Sequence, residues 1–150
     1  MPELTREVFV SLWSMTKAGT APDDADLARM QKYMAMHEDM HAHFEGIAAD
    51  PAASIDVDGE NLVLHIAMDA ATEAALERDE PDGIRDFMQS MLDSNVAPGT
   101  AFHAISQAMQ HEFVLAAGRG EEMDLAQFAT RAANYAAQAV AAAAQAGAAS

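Results

Sequence analysis

The chain has 150 residues, about half of them apolar, which is enough to bury one core without metal or disulfide support. Acidic residues outnumber basic ones 24 to 8, a formal charge of -16 that repels duplex DNA, RNA and anionic membranes. Cysteine is absent, which removes disulfides, thiolate metal sites and Cys nucleophiles together.

The first segment, residues 3 to 17, carries Leu4, Val8, Phe9, Leu12, Trp13 and Met15 at helical spacing, with Gly19 placed to cap its C-terminus. Its alternating charges, Glu3, Arg6, Glu7 and Lys17, leave no apolar run for a signal peptide or membrane span, so a cytoplasmic protein is expected. Thr20-Ala-Pro-Asp-Asp reads as the start of a second helix that runs to about Glu45. Residues 46 to 60 read as a loop with one short extended piece near Ile55-Asp-Val-Asp-Gly. A third helix is expected over Asn61 to Glu77 and a fourth over Ile84 to Asp93, stopped by Asn95-Val-Ala-Pro-Gly. The fifth spans Thr100 to Ala117. Asp124 with Gln127 opens a sixth, which passes into low-complexity alanine from Ala136. The pattern predicts an all-α fold: one helical bundle of five to six helices over residues 1 to 135, with a helical or frayed alanine tail over 136 to 150.

Six histidines stand on these segments, and helical phase sorts them. His37 and His41 are one turn apart on the apolar side set by Leu27, Met30, Met34 and Phe44, whereas His43 falls on the polar side. His65 and Asp69 repeat that spacing on the third helix, within the arc of Leu62, Ile66 and Leu76. A carboxylate in an apolar stripe is costly unless paired or metal-bound, so Asp69 points to function. On the fifth helix Phe102, Ile105, Met109 and Phe113 mark the core side, with His103 at its edge and His111 drifting outward. Residues four apart on a helix present two ligands to one point. The expected metal ligands are therefore His37, His41, His65 and Asp69, with His103 and His111 as further candidates. Imidazole with carboxylate suits zinc or iron. Eleven methionines would suit copper, but Met30, Met34, Met68, Met88, Met91 and Met109 sit at core spacing and read as packing.

His37-Glu-Asp-Met-His41 also matches H-E-x-x-H, the zinc-peptidase helix in which Glu38 is the general base and Glu60, His65 or Glu73 a third ligand. No strand precedes this segment, as such peptidases require. A third reading is a non-enzymatic acidic module with structural histidines and an amphipathic face for self-association or partner binding. In the leading reading the partner is a metal ion, with neither nucleic acid nor membrane involved.

Phe9 to Trp13, His37-Glu-Asp-Met-His41, Asn61-Leu-Val-Leu-His65-Ile-Ala-Met, Glu80-Pro-Asp-Gly-Ile-Arg85 and the stretch from His103 to Gly118 together resemble an uncharacterised bacterial family of small helical, His-rich proteins, over residues 6 to 118. The resemblance implies a His where this chain has Asp69, and acids where it has Gln107 and His111. Asp for His and His for an acid exchange one ligand type for another, as a metal site allows. Gln107 is a departure, because an amide supplies no anionic ligand. The resemblance implies a fold and a site without naming a reaction.

Overall fold

The computed structural model describes residues 5–149, and the expected helical positions Glu3 and Leu4 lie outside them. Among the described residues the chain is all-α apart from one miniature hairpin: α1 (Arg6–Ala18), α2 (Ala25–Met36), α3 (His41–Ala49), β1 (Asp56–Val57), β2 (Glu60–Asn61), α4 (Leu62–Arg78), α5 (Ile84–Asp93), α6 (Pro98–Arg119) and α7 (Leu125–Ala148). Seven helices replace the expected five to six. Two compact units divide the chain between Ala71 and Thr72, inside α4. No helix among the described residues is long and apolar enough to cross a membrane.

In the first unit α1 is capped by the Thr5 side chain on the Val8 amide and closed by Gly19 at φ 69°. The amide of Thr20 returns to the Met15 carbonyl, so Thr20 completes the end of α1 and does not start α2. The α2 cap is Asp24, whose carboxylate accepts from the Asp26 and Leu27 amides. Phe9, Leu12 and Trp13 are buried, and Phe9 and Trp13 each meet Phe44 edge-on at 5.3 Å. Arg6 satisfies the end of α3, donating from Nη2 to the Ile47 and Asp50 carbonyls and from Nη1 to that of Ala53.

The expected helix from Thr20 to Glu45 is broken at His37, which has φ -85° and ψ 64°. A 3-10 turn over Glu38–Met40 follows before α3 begins. In a continuous helix the Met34 carbonyl would accept from the amide of residue 38. Here it meets Nε2 of His41 at 2.9 Å, so a side chain takes the place of the lost backbone donor.

β1 and β2 pair antiparallel, Asp56 opposite Asn61 and Val57 opposite Glu60. The two-residue loop is Asp58-Gly59, with φ 53° and 85°, the left-handed pair that a tight hairpin of native twist needs. The expected loop with one extended piece is therefore a hairpin whose second strand leads into α4. Asn61 Oδ1 accepts from the Leu64 amide and starts that helix. From Leu62 to Ala70 every residue but Leu64 is buried, so the helix shows no single apolar face over this stretch.

In the second unit Pro98 occupies the first turn of α6, two residues before the expected start, where a missing amide hydrogen costs nothing. Gly120 ends α6 at φ 69°, and Asp124 caps α7 on the Ala126 and Gln127 amides as the sequence predicts. The buried face of α6 is set by Ala101, Ala104, Ile105, Ala108, Met109, Glu112 and Ala116, and that of α7 by Phe128, Ala132 and Ala136. Alanines let two backbones approach closely, which turns the face away from Phe102 and Phe113, both only half-buried. Glu112 is buried with Nε of Arg131 at 2.9 Å and Nη2 of Arg119 at 3.7 Å.

Candidate metal centre

Three of the expected ligands meet in the first unit. His37 is the residue at which α2 ends, and its Nε2 lies 2.9 Å from Oδ2 of Asp69 on α4. His65, one turn before Asp69, brings its own Nε2 to 3.5 Å from that same oxygen. The two imidazoles meet nearly edge-on, with centroids 4.8 Å apart and planes at 73°. One ligand atom from each of the three residues lies within 4.8 Å of the others, and no further group of three or more His, Cys, Asp or Glu converges in this way among the described residues.

Asp69 is 4 % exposed and His65 is 7 % exposed, while His37 is half-buried. The hydrogen bond that His37 donates to Asp69 raises the His37 pKa above its ordinary value, against the opposing effect of burial, and the charges of Asp69, Asp39 and Glu60 push in the same direction as the bond. On the other side of His65, Nδ1 lies 2.6 Å from Oε1 of Glu60 on β2. Nε2 of His65 is buried with no hydrogen-bond partner among the described residues. The outer nitrogen of the ring is thus engaged by Glu60, and the inner one is unpartnered where the three residues meet.

The remaining candidates stand elsewhere. His41 is not part of the group: its Nε2 faces the Met34 carbonyl, and its ring lies 4.8 Å from that of Trp13. The premise that His37 and His41 share one helical face is corrected by the break at His37, which sends the two imidazoles to different partners. His43 is exposed, as its phase predicts. In the second unit His103 is exposed, not at the core edge, because the alanine face of α6 rotates it outward. His111 is also exposed, with Nδ1 3.5 Å from the Tyr135 hydroxyl. Glu38 lies exposed in the 3-10 turn.

Sequence reasoning treated Glu60 only as an optional ligand, and its contact with His65 was missed. The Asp58-Gly59 pair, a strong hairpin signal, could have placed it. It also overlooked Glu112, although Ile105, Met109, Glu112 and Ala116 recur at helical spacing.

The chain matches the profile of a family described as Domain of unknown function (DUF1841) over residues 2–133. It belongs to that family. The match takes in His37, Glu60, His65 and Asp69 together. Neither a curated protein nor a solved structure matches the chain.

Proposed function

We propose that this DUF1841 protein binds a divalent transition metal, zinc or iron, through His37, His65 and Asp69. The observation that carries this reading is the buried, unpartnered Nε2 of His65, aimed at the carboxylate that His37 also contacts. A buried imidazole nitrogen without a partner costs stability, and a cation held there together with Asp69 would remove that penalty. Spacing supports it. An ion about 2.1 Å from each donor holds neighbouring donors about 3.0 to 3.4 Å apart, and the two nitrogens stand 2.9 and 3.5 Å from Asp69 Oδ2.

Two imidazoles and one carboxylate are a donor set used by non-haem iron and by hydrolytic zinc. Three protein ligands leave coordination positions for water or a small oxygen ligand, which is the arrangement of reactive rather than purely structural sites. Bound there, zinc supplies an acidified water, and iron supplies a position for an oxygen ligand. The zinc-peptidase reading of His37-Glu38-Asp39-Met40-His41 has less support, since that motif needs both histidines on one unbroken helical turn.

The test is metal content by plasma mass spectrometry after purification and dialysis, followed by Co2+ titration. The expected result is stoichiometric metal in the wild type and its loss in His65→Ala and Asp69→Asn. His41→Ala, His43→Ala and His103→Ala should keep it. A wild type without metal affinity, or a His65→Ala variant with unchanged metal content, overturns the proposal. Retention in wild type with loss in His41→Ala would move the site to the H-E-x-x-H pair.

A further inference from the structure

We infer that Glu60 is a positioning residue that sets the His65 tautomer and so makes Nε2 a ligand; the inference rests on the metal reading above. A neutral imidazole carries one proton, and only the nitrogen without it can bind a metal. The structure leaves one arrangement that suits both ends of the ring. Glu60 Oε1 lies 2.6 Å from Nδ1, and a carboxylate only accepts, so Nδ1 must donate. The opposite tautomer would set a nitrogen lone pair against a carboxylate lone pair at that distance. It would also point an N–H at Asp69 Oδ2 from 3.5 Å, beyond good hydrogen-bond length. With the proton on Nδ1, the buried Nε2 presents its lone pair toward Asp69 and His37. A carboxylate on the outer nitrogen also fixes the orientation of the ring, as metal-bound histidines commonly use.

The hairpin delivers this carboxylate. Glu60 stands five residues before His65, a spacing at which a continuous helix does not stack side chains. It reaches the ring because residue 60 belongs to β2, paired with Val57 across Asp58-Gly59, and the chain enters α4 only at Leu62. The Leu62 amide returns to the Ile55 carbonyl at 3.0 Å and ties the hairpin base to the helix start. The Glu60 side chain is 42 % exposed, so its pairing with His65 adds little to folding. Its effect should be concentrated in metal affinity.

The experiment uses Co2+ as the probe with the full chain and with Glu60→Ala, Glu60→Gln, His65→Ala and Asp39→Asn. The His65 tautomer is read by long-range 1H–15N correlation in the metal-free protein, recorded as a function of pH into the mildly alkaline range. Wild type should show His65 protonated at Nδ1. Glu60→Ala should shift it toward Nε2–H and weaken Co2+ binding about 10- to 100-fold, the usual effect of losing such a partner, with the melting temperature of the metal-free protein nearly unchanged. Glu60→Gln, whose amide oxygen still accepts from Nδ1–H, should keep the tautomer and lose less affinity. Asp39→Asn removes a nearby negative charge without that bond and should lose far less than Glu60→Ala.

Wild-type affinity in Glu60→Ala, an unchanged tautomer there, or an equal loss in Asp39→Asn would overturn the role of Glu60. Abolished binding in His65→Ala would in each of those cases leave the metal site standing. If the wild type itself binds no Co2+, the metal reading falls and this inference falls with it.

Discussion

His37 joins two roles that pull in opposite directions. Without metal it is a hydrogen-bonded partner of Asp69, which raises its pKa above the ordinary 6.5 and favours the charged pair; with metal it must give up the Nε2 proton. For the metal-free protein the sign follows from linkage. A folded-state pKa above the unfolded one contributes stability that is fully present below the unfolded pKa and is lost as pH rises through the folded value. In chelator, the stability difference between wild type and His37→Gln should therefore be larger near pH 6 than near pH 9. Urea titrations of both proteins across that range check it, and a difference independent of pH would contradict the pairing. At this scale the sequence was most informative about Asp69: a carboxylate in an apolar stripe is buried beside His65. It was least informative about His41, whose spacing from His37 suggested a shared ion but whose imidazole meets a backbone carbonyl instead.

Among elements, helices with a capping residue and a distinct apolar face were legible from the chain alone. The helix expected over Ile84–Asp93 lies there as α5, and Asp124 caps α7. The break within the second expected helix was not legible, because Met36-His37-Glu38-Asp39 contains neither Gly nor Pro. The break goes with a contact to distant chain, from His37 to Asp69, and with a local one, from His41 back to the Met34 carbonyl. On α6, large apolar residues suggested one face and alanines set another, carrying Glu112 inside opposite Arg131. Removing one partner of a buried pair leaves an uncompensated charge. Arg131→Met should destabilise the protein by about 3 kcal/mol, the lower end for such losses, since Arg119 stays 3.7 Å from the carboxylate. Glu112→Leu together with Arg131→Met should recover most of that loss, because a well-packed apolar pair replaces a desolvated ionic one. Chemical denaturation of the single and double variants measures both, and a double variant no better than the single would count against this account of the pair.

For the whole molecule, the charge of -16 dominates behaviour in solution. Like charges repel within each folded unit, and salt screens them, with a Debye length of about 30 Å at 0.01 M that shrinks to about 8 Å at 0.15 M. The metal-free protein should melt several degrees higher at the larger of these ionic strengths, and it should pass a polyanionic heparin column without retention. A melting temperature that falls with added salt would show that attractive surface pairs such as Lys17–Glu45 and Arg119–Glu121 outweigh the repulsion.

Sequence alone determined the charge, the absence of thiol chemistry, the all-α class and the inward placement of His65 and Asp69, because each follows from composition or from the 3.6-residue period of a helix. Tertiary structure decided which histidine joins them. His37 meets Asp69 from 32 residues away, and Glu60 meets His65 through a hairpin turn, neither of which a local period can encode. Periodicity reports which side of an element turns inward. Which inward residues touch depends on how separate elements pack, and that is a property of the folded chain.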